Sequence, residues 1–433
     1  MRICQLVPGS GGTFYCQNCL RDYTLVRALQ REGQEAVLLP LYLPPLDSNN
    51  ILDHSIPVFF GGINVYLQQR FSLFRKTPRW LDWLFDTPLI LKLAAAQEGS
   101  TNAAQLGPMT LSMLEGRHGY QQKEFDRLIT WLVHHEKPDV VHLSNALLLG
   151  LAVEIKHVLK VPVVCTLQDE EPWVEAMPSP WKERCWNAMV DNARYVDAFI
   201  STSYWYADRM RIRMHIPADQ IRVIYPGVEV NEEPAADLVF DPPTIGYLTR
   251  LNVEQGFGAL IEAFIQLKQE DALKNLRLRA TGGSTHMDQP FLHAVHDKLR
   301  NHGFEQDVDF VSDFHSAQRR DFLRSISVLS TPAPHGEAFG IQLIDAMAQG
   351  VPVVQPNVGA YPEIIQATGG GVLYDQEDPH GLADALRSLL CDPEKARALG
   401  QNGRNAVRGQ FNVDRVAREM TRIYELVIAQ AGK

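Results

Sequence analysis

Two carboxylates in the C-terminal half stand at a spacing that suits the recognition of a polar ligand. Glu337 lies in the loop HGEAFG, Gly340 follows at a predicted helix start, and Asp345 comes eight residues after Glu337. N–H groups at a helix start attract phosphate, and at about 1.5 Å per residue the two carboxylates lie within about 12 Å along the axis. They could bracket a ligand that contains a diphosphate. On spacing alone, a helix-capping Glu337 and a solvated Asp345 explain the same pattern.

A second cluster lies near the N-terminus, where the glycine-rich run GSGG (9–12) leads into a Cys-x-x-Cys pair. The run follows the apolar segment RICQLV (2–7), so that a strand, a tight turn and a helix are predicted, and glycine backbone can approach phosphate closely. Cys16 and Cys19 suit a redox pair, but the sequence has no second Cys-x-x-Cys for a four-cysteine zinc site. We expect a reduced or structural pair, with a redox or metal role and an acceptor contact as alternatives.

The composition excludes several classes of protein. The chain has 433 residues, of which 45% are hydrophobic and 21% charged, as expected for a folded protein of about two domains. A net charge of -10 without a basic run disfavours nucleic acid as a partner. Six cysteines are too few for a disulfide scaffold. No signal peptide and no apolar run of about 20 residues is evident, which predicts a cytoplasmic protein.

Short β-branched runs alternate along the chain with stretches of helical period, which favours parallel sheets with crossover helices. The predicted strands cover 2–7, 35–42, 139–144, 161–167, 198–203 and 221–227 in the first half, and 244–250, 276–283, 308–313, 327–332, 351–356 and 371–375 in the second. Ligands of such sheets bind beyond the carboxyl ends of the strands. The runs GSGG, TRLNVEQG (249–256) and APHGEAFG (333–340) all stand at predicted strand ends.

The acidic, proline-bearing stretch VEVNEEPAADLVFDPP (228–243) divides the chain. We predict an α/β fold of two Rossmann-like, doubly wound domains that face one another across a cleft. The predicted domains are 1–230, with an insertion at about 45–130, and 243–415, joined by a linker at 231–242. The last segment, 416–433, is predicted as a helix that crosses back to the first domain.

The chain resembles the family 4 glycosyltransferases, which are retaining enzymes of the GT-B fold. The resemblance lies in EAFGIQLIDAMAQGVPVV with NVGAYPEII, in GSGG with TLVRALQREGQEAVLL, and in KPDVVHLS, VDAFISTS, IRVIYPGVEV, GYLTRLNVEQGFGALIEAF and GVLYDQEDPHGLADALRSLL. Each motif is weak alone, but their order and spacing are specific. Residues 45–130 are covered least, although GGINVYL within them resembles the first domain of bacterial glycogen synthases.

The resemblance implies roles for individual residues. Glu337 would contact hydroxyls of the transferred sugar as a catalytic group, Asp345 would bind the ribose, and Arg250 would hold the diphosphate. The implied donor-binding set is Gly11, Gly12, Arg250, Gln255, Phe339, Gly340, Ile341 and Asp345. Gln168 and His142 are candidates on the acceptor or sugar side, with a hydrogen-bonding role at a strand end as the other interpretation of His142.

Three positions depart from the family pattern. Gln255 stands where a lysine is usual, so that one cation beside the diphosphate is missing and Arg250 carries more of that role. Asp345 replaces a glutamate, which shortens the reach of the carboxylate. Gln168 stands where many members have a histidine, and an amide can donate a hydrogen bond but cannot transfer a proton.

The resemblance implies a metal-independent, retaining transferase with no resident cofactor, which moves a sugar from a nucleotide diphosphate sugar to a carbohydrate, a lipid-linked or a small-molecule acceptor. A catalytically weakened sugar- or nucleotide-binding protein, a sugar-nucleotide epimerase and a phosphorylase are the alternatives. The aromatic and basic stretch 57–92 suits sugar rings, a peripheral contact at the inner membrane face, or plain packing of a helical insertion.

Overall fold

The computed structural model describes residues 1–9, 15–42, 103–230 and 233–432, without the side chains of 103–105 and 316. The described chain forms two compact units. The first contains residues 1–9, 18–42, 103–225 and 416–432, and the second contains residues 15–17, 226–230 and 233–415. Gly11, Gly12 and the stretch 57–92 lie outside the described residues, as does the predicted insertion up to residue 102.

The first unit is built on a six-stranded parallel sheet in the order β2-β1-β3-β4-β5-β6. Its strands are β1 (Arg2–Val7), β2 (Glu35–Pro40), β3 (Val140–Leu143), β4 (Val163–Leu167), β5 (Ala198–Ser201) and β6 (Ile221–Val223). β1 pairs with β2 on one side and with β3 on the other. The strand order therefore reverses between β1 and β3, which is the switch point at which doubly wound sheets bind ligands.

Helices connect these strands. They are α1 (Gln17–Arg31), α2 (Ala103–Leu114), α3 (Gln122–Trp131), α4 (Gly150–Glu154), α5 (Glu170–Glu175), α6 (Trp181–Ala193) and α7 (Tyr204–Arg213). Two of them, α3 and α4, continue into π-helical turns at Leu132–Glu136 and Ile155–Leu159. Because parallel strands need crossovers of consistent hand, helices on either side of the reversal cover opposite faces of the sheet.

The second unit repeats the plan with a six-stranded sheet in the order β12-β11-β10-β7-β8-β9. Its strands are β7 (Thr244–Leu248), β8 (Arg277–Thr281), β9 (Val308–Val311), β10 (Val328–Leu329), β11 (Val353–Pro356) and β12 (Gly371–Tyr374). All pairs are parallel, and β7 lies between β8 and β10. The order reverses between β7 and β10, so that the loops after these two strands share one edge of the sheet.

The helices of the second half are α8 (Phe257–Lys268), α9 (Gln289–Asn301), α10 (Ser316–Arg324), α11 (Ile341–Ala348), α12 (Tyr361–Thr368), α13 (Gly381–Leu390), α14 (Pro393–Gln410) and α15 (Val413–Ala431). Single 3-10 turns lie at Gly116–His118, Ala146–Leu148, Asp271–Leu273, His286–Asp288 and Glu305–Asp307. None of the helices within the described ranges combines the length and the apolar character needed to cross a membrane.

The strands form the cores because they are apolar on both faces. All residues of β3, β4, β5, β7 and β11 are buried, as expected for parallel strands that helices cover on both sides. The predicted α/β fold with two doubly wound sheets is confirmed, and a strand lies within each of the twelve predicted segments. The described part of the predicted linker, 233–242, belongs to the second compact unit.

Candidate active site

Glu337 is a buried carboxylate in the loop between β10 and α11, at the edge where the second sheet reverses. Its side chain is only 6% exposed. The oxygen Oε2 accepts hydrogen bonds from Nε2 of Gln342 at 2.7 Å and from the hydroxyl of Tyr361 at 3.0 Å. Both donors are uncharged, so that the carboxylate is fixed in direction while its negative charge is not neutralised by these two contacts.

Glycines make this arrangement possible. Gly359 has φ +67°, and a Cβ atom there would lie 2.8 Å from the backbone nitrogen of Glu337. The next residue, Ala360, donates its N–H to the backbone oxygen of Glu337 at 3.1 Å. The loop that follows β11 therefore packs backbone against backbone on the loop that carries Glu337.

The start of α11 has the geometry of an anion site. Gly340 is its N-cap residue with φ +93°, a conformation that side chains disfavour. In its first turn, the N–H of Ile341 donates to Oε1 of Gln17 at 3.3 Å and the N–H of Leu343 donates to the backbone oxygen of Gly340 at 3.1 Å, while the turn carries the positive end of the helix dipole. Phe339 is buried, and its ring centroid lies 6.1 Å from that of Phe411. Such a helix start is suited to a phosphate group.

Asp345 is held by a cation that sequence reasoning missed. Its oxygen Oδ2 lies 3.1 Å from Nε of Arg319 on α10, and the two side chains are only 13% and 15% exposed. Burial raises the pKa of Asp345, whereas the charge of Arg319 lowers it. Asp345 is therefore a largely buried, ion-paired carboxylate and not the solvated helix residue of the alternative interpretation.

Arg250 follows β7 and is oriented by an acid and a hydroxyl. Its Nε and Nη2 donate to the two carboxylate oxygens of Asp288, both at 2.9 Å, and Nη2 also donates to Oγ1 of Thr285 at 2.8 Å. Thr285 and Asp288 also form a capping box at the turn before α9. This two-point contact fixes the plane of the guanidinium group.

Gln255, which occupies the lysine position of the family, lies in the loop after β7. Its backbone N–H donates to Oδ1 of Asn252 at 2.9 Å, and its backbone oxygen accepts from the hydroxyl of Tyr247 at 3.2 Å. The amide oxygen Oε1 is buried without a hydrogen-bond partner among the described residues. Gln255 supplies no positive charge, so that Arg250 and the start of α11 are the electropositive features identified at this edge.

The two candidates in the first unit lie in different settings. Gln168 follows β4, and its Nε2 donates to the backbone oxygen of Ser144 at 2.7 Å and to its Oγ at 3.2 Å. His142 lies inside β3, with Nδ1 2.8 Å from the hydroxyl of Tyr424 and Nε2 2.7 Å from Oγ1 of Thr166. Burial lowers the pKa of His142 to about 3, so that the ring is neutral. These contacts favour the hydrogen-bonding interpretation, and an acceptor contact of His142 stays a prediction.

Cys16 and Cys19 are half-buried thiols rather than a disulfide. Over the described ranges, no three His, Cys, Asp or Glu side chains are grouped as a metal site. The residues that sequence reasoning missed are Asp288, Arg319, Gln342, Tyr361 and Glu170. Of these, Gln342 and Tyr361 stood in quoted motifs, EAFGIQLIDAMAQGVPVV and NVGAYPEII, where a polar side chain at a helix start and a tyrosine two residues after a glycine could have been noticed.

Two family profiles match adjoining parts of the chain. The family described as Glycosyltransferase Family 4 matches residues 103–232, and the family described as Glycosyl transferases group 1 matches residues 231–406. Together they span well over half of the sequence. The fold agrees, because the Anabaena protein HepE, solved in complex with UDP-glucose, superposes with a TM-score of 0.66 and 16% identity over 98% of this chain and 100% of HepE.

The chain belongs to the GT-B glycosyltransferases. This glycosyltransferase is 25% identical over 261 residues to the D-inositol 3-phosphate glycosyltransferase of Corynebacterium kroppenstedtii, a match that spans 57% of each chain. It is 26% identical over 295 residues to the glycogen synthase of Mycobacterium tuberculosis, across 66% of this chain and 69% of the relative. The predicted family resemblance is confirmed.

Proposed function

We propose that this glycosyltransferase is a retaining family 4 enzyme that uses a nucleotide diphosphate sugar and needs no metal or other cofactor. The observation that carries the proposal is Glu337, a buried carboxylate fixed by Tyr361 and Gln342 beside the left-handed Gly340 at the start of α11. A preorganised negative group there suits a sugar whose reacting carbon gains positive charge.

The diphosphate of the donor would lie against the first turn of α11 and the guanidinium group of Arg250. Both features are fixed in the protein, so that they can stabilise the charge that develops on the leaving group without reorganisation. Asp345 would receive the ribose hydroxyls while Arg319 holds its carboxylate in place. Gly11 and Gly12 would add backbone N–H contacts from the N-terminal glycine run. Because HepE binds UDP-glucose, that donor is the first to test.

The transfer step needs no nucleophile from the protein. The acceptor hydroxyl oxygen forms a bond with the anomeric carbon as the bond from that carbon to the diphosphate oxygen breaks. The acceptor proton passes to the departing diphosphate oxygen on the same face, which retains the anomeric configuration. Glu337 stabilises the sugar in this step, while Arg250 and the start of α11 stabilise the nucleoside diphosphate that leaves.

A second candidate function is sugar or nucleotide binding without efficient transfer. It is favoured by Gln255, whose amide brings no charge to the diphosphate, and by Gln168, whose amide cannot transfer a proton. A sugar-nucleotide epimerase is a weaker alternative. For the transferase we propose a cytoplasmic location, with a peripheral contact at the inner membrane face and an acceptor that is a carbohydrate, a lipid-linked sugar or a small molecule.

A donor screen followed by an acceptor screen tests these functions. Thermal shifts with UDP-glucose, GDP-mannose and UDP-N-acetylglucosamine identify the donor, and release of free nucleoside diphosphate is then measured with and without an acceptor panel. Acceptor-dependent release supports the transferase. A thermal shift with no release of nucleoside diphosphate, whichever acceptor is added, supports a binding protein. An epimerised donor without release supports an epimerase.

A further inference from the structure

Glu170 is a buried carboxylate of the first unit that the transfer step described above does not use. Its side chain lies at the start of α5 and is 1% exposed. The oxygen Oε1 accepts from the backbone nitrogen of Ala146 at 2.8 Å. The oxygen Oε2 accepts from the backbone nitrogen of Gln168 at 2.7 Å and from the hydroxyl of Tyr206 at 2.8 Å. The three donors are neutral and come from three different parts of the unit.

These donors lie at the edge of the first sheet where ligands of doubly wound sheets bind. Ala146 is in the turn after β3, the strand beside the reversal, and Gln168 is in the loop after β4. The amide of Gln168 in turn donates to Ser144, directly after β3. One carboxylate thus fixes the backbone of both loops and, through the backbone of Gln168, the direction of an amide that is a candidate for sugar or acceptor contact.

The network continues on the far side of Ser144. The hydroxyl of Ser144 donates to the buried carboxylate of Asp22, which also accepts from Nε2 of Gln5 at 2.7 Å and pairs with the guanidinium group of Arg21. The two buried acids of this network differ in charge environment. Asp22 has a cation beside it, whereas Glu170 accepts from two N–H groups and one hydroxyl.

The arrangement around Glu170 suits the ionised carboxylate. Two of the three contacting groups are N–H donors that cannot accept, so that a protonated carboxyl could donate only to the hydroxyl of Tyr206, which would then have to turn its own hydrogen away. Burial raises the pKa of Glu170 to about 7, while its hydrogen bonds lower it. The other titratable and charged groups around it are Cys165 on β4, Tyr206 on α7, Asp169 in its own loop, and Glu171, which pairs with Arg209 of α7.

We propose that Glu170 is a positioning residue whose ionised carboxylate fixes the loops after β3 and β4, and that it sets the pH dependence of glycosyl transfer without binding the nucleotide. This inference rests on the proposed function, because turnover is one of its readouts. Glu170 would affect the reaction only indirectly, through Gln168 and the backbone of Ala146.

The test compares three variants across pH 5.5–9, with UDP-glucose and the acceptor that gives the fastest UDP release in the screen above. The wild-type rate should rise with pH through a midpoint near 7. Glu170→Gln should lose that midpoint and slow turnover by about tenfold to a hundredfold, the cost of a misplaced catalytic geometry. Tyr206→Phe removes one hydrogen-bond donor to the carboxylate of Glu170. The midpoint of the pH–rate profile of this variant should therefore lie about one pH unit above that of the wild type.

The matched control is Glu175→Gln, which changes an exposed carboxylate of the same helix that pairs with Arg213. It should keep both the rate and the midpoint. UDP affinity, measured by calorimetry, should stay within about twofold in all three variants, because none of the residues changed is among the proposed nucleotide contacts. An unshifted midpoint in Tyr206→Phe, or a wild-type pH profile in Glu170→Gln, would overturn the proposal.

A readout independent of activity separates this inference from the proposed function. A carboxyl whose folded-state pKa is raised stabilises the fold most at low pH and loses that contribution as pH rises from about 4.5 to about 7. The melting temperature of the wild type relative to Glu170→Gln should therefore fall between pH 5 and 7.5 and then level off. A flat difference contradicts the assignment of Glu170 even if transfer is observed, whereas a falling difference without UDP release contradicts the proposed transferase alone.

Discussion

At the residue scale, the two carboxylates of the second sheet's edge differ in what holds them. Glu337 accepts hydrogen bonds from the neutral groups of Tyr361 and Gln342, whereas Asp345 is paired with the cation Arg319. A carboxylate that neutral donors fix in direction suits the stabilisation of positive charge that appears only in the transition state. A neutralised, positioned carboxylate suits hydroxyl groups that are present before and after the reaction.

Asp345→Asn should therefore weaken UDP and UDP-glucose alike, by about tenfold, while turnover at saturating donor changes little, as expected for uniform binding. Calorimetry with UDP and kinetics with UDP-glucose check this. Asp271→Asn, at a side chain that is 92% exposed, is the control and should change neither quantity. Loss of turnover with unchanged UDP affinity in Asp345→Asn would contradict the ribose assignment.

At the element scale, the start of α11 depends on the conformation of Gly340. With φ +93°, an added Cβ would lie 3.1 Å from Oε2 of Glu337 and 3.2 Å from the ring of Tyr361. Gly340→Ala should lower the free energy of unfolding by roughly 1–2 kcal/mol from the backbone conformation alone, and it should also reduce turnover by displacing Glu337. Gly409→Ala, in α14 with no atom within 4 Å of the added Cβ, should leave stability equal or slightly higher in urea unfolding.

Strand β3 of the first sheet carries a buried titratable side chain, His142. His142 is neutral in the folded state because burial lowers its pKa to about 3, whereas in the unfolded chain it titrates near the ordinary value of 6.5. Its contribution to stability is therefore complete above about pH 6.5 and is lost as pH falls toward 3, with a total on the order of 5 kcal/mol.

The stability advantage of the wild type over His142→Gln should shrink between pH 7 and pH 4, as measured by urea unfolding. Gly409→Ala, which changes no titratable group, serves as the comparison and should show no pH-dependent difference from the wild type. A constant advantage of the wild type over His142→Gln would mean that this ring titrates alike in the folded and the unfolded chain, which contradicts its burial as a neutral ring.

The same elements show how far sequence reasoning reaches. Strands such as β4 and β11 were predictable because parallel strands covered on both faces must be continuously apolar. Glu337, Gly340 and Arg250 were predictable because they follow strands at the switch points. Their partners were not, since Asp288 lies in the turn before α9 and Arg319 lies on α10, so that both are brought to the site only by tertiary packing. The role of His142 was not predictable, because a polar residue in a strand has the same sequence pattern whether it is buried or faces a ligand.

At the scale of the whole molecule, the two units have different proposed roles. The second unit holds the groups proposed for the nucleotide and the sugar, namely Arg250, Glu337, Gly340 and Asp345, around the reversal between β7 and β10. The first unit holds the network through Ser144, Gln168 and Glu170 at its own reversal. Substitutions in the second unit should therefore change nucleotide affinity or the chemical step, and substitutions in the first should change turnover and its pH dependence.

The measurement that tests the central claim most directly is a proton NMR time course of UDP-glucose with acceptor, run side by side for the wild type and Glu337→Gln at donor concentrations that saturate both. The wild type should form a glycoside with the anomeric configuration of the donor, together with one UDP per transfer. Glu337→Gln should bind UDP normally and form the same product more slowly by a factor on the order of 10²–10³. Equal rates in the two proteins, or loss of UDP affinity in Glu337→Gln, would contradict the role of Glu337 as the group that stabilises the reacting sugar.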